Sequence, residues 1–149
     1  MRLSRKTILA LEAVLDVAFN ARPEPVQSKE ITRRQGVPQR YLEQVMQHLV
    51  HEGILKGVRG PRGGYRLARE RRRISVGDVV RVVSAMEAAE DAPLNGGSDL
   101  GEKVVRPLLD EVTAEVMSKL DAVSIEDLCR RAESEGIGAE TRESMDFTI

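Results

Sequence analysis

Cysteine occurs once, at Cys129, tryptophan not at all, and phenylalanine and tyrosine only twice each. A single thiol excludes an intramolecular disulfide and any multi-thiolate metal site within one chain, and it points to a reducing compartment. So few aromatic rings leave the core to aliphatic side chains. No apolar run reaches the roughly 18 residues that a membrane helix needs, and no N-terminal apolar stretch precedes a cleavage site, so a soluble, cytoplasmic chain is expected. No nucleophile and base stand together in a pattern, and no phosphate-cradling loop is visible, which argues against an enzyme.

Charge is plentiful and unevenly placed. With 41% hydrophobic and 32% charged residues, the 149-residue chain has a globular composition and the length of one domain with an appended element. The net charge of -1 conceals a split: residues 1–75 carry 16 Lys and Arg against 7 Asp and Glu, whereas residues 76–149 carry 7 against 17. The first half reads as polyanion-binding, the second as facing something else.

Within the basic half, Ser4 can cap a first helix to about Asn20, with Ile8, Leu11, Val14, Leu15 and Ala18 as its apolar stripe. Arg2, Arg5 and Lys6 crowd its N-terminus against the helix dipole, a conflict that a bound phosphate would relieve, although solvated charges at a chain start are equally common. Pro23 and Pro25 stop this helix. Ser28 caps a second, over 29–35, which Gly36 ends in the left-handed conformation. After Val37 and Pro38 a third helix begins, with Leu42, Val45, Met46 and Leu49 inward and Gln39, Arg40, Glu43, Gln44 and Gln47 outward. Helix, short glycine turn, helix is the pattern of a helix-turn-helix. The outward residues carry the donors and acceptors that base edges require, although a solvated helix face has the same composition.

Gly53 closes the third helix, and 54–58 and 65–67 read as two strands of a hairpin around the tip GPRGG. Arg59 and Arg62 project from that tip, and seven arginines fall within the 15 residues 59–73, a density that repels itself unless a polyanion is near. Helix plus basic hairpin is how a winged helix-turn-helix holds DNA. Ser75 with Asp78 starts a fourth helix on Val79, Val80, Val82, Val83 and Met86. The stretch 87–101 has linker composition. A long helix to about Leu120 then carries Val105, Leu108, Leu109, Val112, Val116 and Leu120 on one stripe, too large to cover within this chain and suited to a second copy. A last helix, capped by Ser124 and Asp127, turns Ile125, Leu128, Cys129 and Ala132 inward and stops at Gly136.

Four blocks, MRLS at 1–4, YLEQ at 41–44, VRGPRGGY at 58–65 and ISVGDV at 74–79, together resemble the Rrf2 family of bacterial winged-helix transcriptional regulators. The likeness is strong over 1–86 and weak beyond. It implies a mainly α fold with a small β-hairpin wing, and a homodimer, joined by the long helix, on a palindromic operator in double-stranded DNA. It marks positions 40, 43 and 44 as base-reading and Arg59 as entering the minor groove. Arg40 replaces a smaller polar residue of relatives, so their operators do not transfer. The residues expected at DNA are Arg2, Ser28, Gln39, Arg40, Tyr41, Glu43, Gln44, Arg59 and Arg62.

Cluster-binding members of that family take cysteine and histidine ligands from the segment that here spans 87–107, which contains neither. No iron-sulfur cluster, and no other cofactor, is therefore expected. His48 and His51 stand three apart on the third helix without further ligands nearby, so no metal is assigned to them. Two candidate signal sites remain. One is Cys129, as a redox thiol or an inert packed one. The other is the acidic tail ending in Phe147 and Ile149. Some family members end similarly, as do serine acetyltransferases, whose C-terminal isoleucine docks in cysteine synthase. The implied regulator is a repressor linked to cysteine and sulfur metabolism. The alternative is a winged-helix adaptor whose basic face binds an acidic partner and whose tail binds a cysteine synthase-like enzyme. The expected division is a winged helix-turn-helix domain over 1–86, a flexible linker over 87–101, dimerisation helices over 102–136 and a flexible tail over 137–149.

Overall fold

Helix α1 (Arg5–Asn20) touches α2 (Ser28–Gln35), α3 (Gln39–His51), α4 (Val76–Glu90), α6 (Ile125–Ser134) and the second strand of the wing. The computed structural model describes residues 3–21, 23–91 and 97–138. Ser4 caps α1, its hydroxyl accepting from the Thr7 N–H at 3.4 Å. The buried face of α1 is Thr7, Leu9, Ala10, Ala13, Val14, Val17 and Ala18, which includes only Val14 and Ala18 of the expected stripe: Leu11 and Leu15 are half-buried, and Ile8 is 55% exposed. This helix is apolar over more than half its girth, so its large residues did not mark the inward direction. Small alanines face inward because several helices approach α1 at once.

The cap of α2 is Gln27, whose N–H donates to Glu30 Oε2 at 3.1 Å, and Ser28 is the first helical residue instead of the cap. Gly36 ends α2 at φ 70°, its N–H bonded to Thr32 O at 2.7 Å. In α3 the four expected core residues, Leu42, Val45, Met46 and Leu49, are all 0% exposed. Here apolar and polar residues alternate cleanly at helical spacing, so the stripe has one reading.

The wing is an antiparallel hairpin of β1 (Leu55–Val58) and β2 (Gly64–Leu67), in the register Leu55 to Leu67 through Val58 to Gly64. A third, one-residue strand joins it: Val26 N–H donates to Tyr65 O at 3.0 Å, and Tyr65 N–H to Val26 O at 2.7 Å. A Cβ at Gly64 would collide with the Val26 carbonyl, so glycine is what lets the α1–α2 loop lie against the wing. After a short 3-10 turn (Arg71–Arg73), Ser75 and Asp78 form the capping box of α4, each backbone N–H bonding the other's side chain at 3.0 Å.

The segment expected as a linker is helical at both ends. Residues 87–90 complete α4, and helical winding resumes at Asp99, with 92–96 outside the described residues. One π-helical turn (Gly101–Val105) precedes α5 (Arg106–Asp121), of which Pro107 is the second residue. Proline has no N–H and its ring crowds the carbonyl four residues back; the wider turn before it accommodates both. No residue of α5 is buried: Leu108, Leu109 and Val112 are 57%, 57% and 48% exposed, and Val105, which ends the turn before it, is 51% exposed.

Helix α6 behaves differently from α5. Ile125 and Cys129 are 0% and 1% exposed within the main core, Ile125 N–H bonds Ile74 O at 2.8 Å, and Val76 N–H bonds Val123 O at 2.8 Å. The expected unit 102–136 is therefore split: α6 closes the core of the winged helix, and α5 alone stands out from it. Among the described residues no helix is long and apolar enough to cross a membrane.

Candidate nucleic-acid interface

Three elements converge on an open groove of about 420 Å³: the start of α2 supplies Gln27, Ser28 and Lys29, the start of α3 supplies Gln39, and the wing supplies Arg59, Gly60, Gly63 and Tyr65. The left-handed turn at Gly36 sets α3 across α2 and so opens this groove. The wing is moored at its base and along its side. Besides the Val26–Tyr65 bridge, Gln27 Nε2 donates to Pro61 O at 3.5 Å, and Arg62 lies 3.7 Å from Glu24. The wing is thus held against the segment before α2 while the Arg59 and Arg62 side chains stay exposed.

Along α3, Arg40 and Gln44 are exposed one turn apart, and Gln47 follows on the same face. Gln39 and Glu43 are half-buried and bonded to each other, Gln39 Nε2 donating to Glu43 Oε1 at 3.0 Å and to Ser28 Oγ at 3.2 Å. Glu43 also acts on Tyr65. Burial first, and then the negative charge of Glu43, pushes the Tyr65 hydroxyl above the ordinary phenol value, so it remains a neutral O–H donor. Ser28, Gln39 and Arg59 therefore line the groove, Glu43 is bonded to it through Gln39, and Arg40, Gln44 and Arg62 are exposed on the two elements, α3 and the wing, that form it.

Tyr41 does not. It faces the junction of α1 and α4, where Lys6 Nζ sits 6.0 Å from its ring centroid and 3.0 Å from Glu90 Oε1. Ser4 Oγ donates to Glu87 Oε1 at the same junction, leaving Glu87 nearly buried at 9% exposure. Polar residues hold α4 to α1 here, something no sequence pattern announced, because the partners lie more than 80 positions apart. Arg2, Phe147 and Ile149 lie outside the described residues.

The arginine-rich run is divided by the fold. Arg59 and Arg62 stand on the wing, but Arg66 donates to Pro23 O, Arg69 lies 3.7 Å from Asp78, and Arg72 donates to Glu70 at 2.6 Å. The repulsion expected across 59–73 is relieved largely by the chain's own carboxylates and carbonyls. Cys129, expected as a candidate signal site, is packed at 1% exposure among core residues. A sensing thiol must be reached by its oxidant, so this position suits a small apolar group instead.

A family model described as Rrf2, iron-dependent transcriptional regulator, matches residues 3–131. The HTH-type transcriptional regulator IscR of Xenorhabdus nematophila is 34% identical over 134 residues, covering 89% of this chain and 82% of that protein. IscR of Escherichia coli is 38% identical over 118 residues, covering 76% and 73%. The solved structure of T. potens IscR matches with TM-score 0.71 at 31% identity over 96% of both chains. The structure of CymR, the global cysteine regulator of B. subtilis, matches with TM-score 0.65 at 25% identity, over 88% of this chain and 98% of that one.

Among the described residues no three His, Cys, Asp or Glu side chains converge as a metal site, residues 87–107 contain neither cysteine nor histidine, and the one thiol is in the core. An exposed polar face on the second helix of a helix-turn-helix, a moored basic wing and a match over residues 3–131 agree, and the chain belongs to the Rrf2 family of DNA-binding transcriptional regulators.

Proposed function

We propose that this protein is a homodimeric, sequence-specific repressor that works without an iron-sulfur cluster. The observation that carries the reading is the groove itself, where Ser28, Gln39 and Arg59 arrive from three separate elements beside the exposed Arg40 and Gln44. That arrangement suits a helix in the major groove and a wing at the adjoining backbone or minor groove. The exposed aliphatic stripe of α5 supports the dimer. Among the described residues nothing covers Leu108, Leu109 and Val112 beyond about half, and covering the rest of each by a second copy contributes about 1 kcal/mol.

A two-fold protein reads a two-fold site, with half-sites about one helical turn apart. Footprinting on DNA enriched from random sequence by the purified protein tests this: dyad-symmetric protection is expected. Protection without a dyad, or none, favours the adaptor reading. Transcription from a promoter carrying the site should fall when the protein is added; a rise would reverse the assignment as a repressor.

The link to cysteine metabolism rests on the likeness to CymR and on the residues of the tail. Phe147 and Ile149 add an aromatic and an aliphatic side chain to an acidic segment, a combination suited to capture by an enzyme pocket, and cysteine synthase is the enzyme proposed. Removal of Ile149 should abolish retention of cysteine synthase on immobilised protein. Equal retention with and without it discards the partner.

A further inference from the structure

The polar face of the recognition helix is not a set of independent side chains. Gln39 donates both of its amide hydrogens within the protein, one to Ser28 Oγ at 3.2 Å and one to Glu43 Oε1 at 3.0 Å. A carboxylate only accepts, so the nitrogen of Gln39 and not its oxygen must face Glu43, and chemistry alone fixes the amide orientation. What remains for a ligand is one-sided. Gln39 Oε1 and Glu43 Oε2 are acceptors, and no donor is left on either residue. Ser28, which accepts from Gln39, keeps its own hydrogen to donate.

We propose that Gln39 is a positioning residue for base choice: by pinning Glu43 it makes the pair an acceptor-only reader, selecting a base whose major-groove edge offers an amino group, cytosine N4 or adenine N6. The inference deepens the reading of α3 as the base-contacting helix and rests on it. A glutamate on an exposed helix face has three soft torsions and can swing away from a mismatched edge. Held by Gln39, this carboxylate stays where it is, so guanine O6 or thymine O4 meets an unpaired negative charge. The same bond orders the side chain before DNA arrives, so less freedom is lost on binding. Through Ser28 the arrangement also ties the start of α3 to the start of α2, so Gln39 joins a group suited to phosphate with one suited to bases.

The test is selection from random double-stranded DNA by the full-length protein, followed by sequencing, with wild type, Glu43→Ala, Gln39→Met and Gln39→Glu. Wild type should prefer cytosine or adenine at one position of each half-site by about tenfold, the size of one good base contact. Glu43→Ala identifies that position by relaxing it. Gln39→Met keeps the length of the side chain but donates nothing, and should relax the same position to about threefold or less. Gln39→Glu sets a like charge against Glu43 and should relax it further, although an acid in the first turn favours the helix, so specificity falls without loss of fold. Because Gln39→Met changes no charge and removes no phosphate contact, its dependence of affinity on salt should match that of wild type.

Full preference at that position in Gln39→Met and Gln39→Glu overturns the inference, and so does a uniform loss of affinity for every sequence, which a merely structural role would give. A wild-type protein that enriches no sequence overturns the base-reading assignment of α3, and this inference falls with it.

Discussion

Arg81 and Asp121 form a two-pronged ion pair, with Nη1 donating to Oδ1 at 2.7 Å and Nη2 to Oδ2 at 2.6 Å, that joins the middle of α4 to the last residue of α5. Both side chains are partly exposed, so the pair adds little to folding stability. Its geometry does more, since two parallel bonds fix the direction in which α5 leaves the winged helix. Arg81→Ala should leave the melting temperature within a few degrees of wild type. It should blunt discrimination between operators whose half-sites differ in spacing by one or two base pairs. Calorimetry and competition binding check the two halves. The hydrogen bonds from Arg81 hold the Asp121 carboxyl below the ordinary carboxylate value. This tie is therefore fully present above the ordinary carboxylate value and is lost as the pH falls through the depressed folded value. Neutral-range changes in pH should leave it intact, and a change in half-site discrimination between pH 6 and 8 would have to arise elsewhere.

Arg59 is exposed at the wing tip and lines the groove, and among the described residues it makes no ion pair of the kind that engages Arg62, Arg69 and Arg72. Arg59→Ala should weaken binding to the selected site by about tenfold and lower the salt slope by about one phosphate equivalent. Arg72→Ala should change affinity far less, because Glu70 already engages that guanidinium at 2.6 Å. Titrations at several salt concentrations check both. Equal effects of the two would mean that the wing is not singled out.

These arginines also show where the sequence was readable and where it was not. Local signals were reliable when one residue type could do the job: Gly36 at positive φ, the Ser75 and Ser124 capping boxes, and the clean alternation that buried Leu42, Val45, Met46 and Leu49. They misled where several residues were eligible. Gln27 and Ser28 both can cap α2, and the short hydroxyl lost to the longer amide because Glu30 sits three residues after Gln27 and answers its N–H. On α1 the large aliphatics outnumber what the core can take, and alanines were chosen for close approach. Long-range pairing was invisible. Nothing local couples Glu24 to Arg62, Lys6 to Glu90 or Arg81 to Asp121, and these pairs decide which charges remain for a ligand. The groove was legible as a list of residues, but the Gln39 bonds that organise it needed coordinates.

The stripe on α5 gives a separate test of assembly. Val112 is 48% exposed and no residue of that helix is buried, so a charge there should not unfold the monomer. Val112→Asp should convert the dimer to monomer at micromolar concentration in sedimentation velocity, with helical circular dichroism retained. Binding to a full palindrome should fall steeply, whereas binding to a single half-site, weak in both proteins, should be little altered. A variant that stays dimeric would move the interface off α5.

Cys129 separates a sensing thiol from a packed one. It is 1% exposed on α6, one helical turn from Ile125, and both sit in the core that α1 organises. In the native protein a thiol reagent such as dithionitrobenzoate should react only as fast as α6 opens. Full reaction should come on addition of denaturant. Cys129→Ala should lower stability by about 1–2 kcal/mol through the small cavity it leaves, and should not change the affinity for DNA or its response to peroxide. Rapid native labelling, or a DNA affinity that peroxide changes in wild type but not in Cys129→Ala, would return the thiol to the list of signals. The same result would require α6 to detach from α1 in the working protein, because no oxidant reaches that sulfur while Ile125 and the Ile74 carbonyl hold the start of the helix closed.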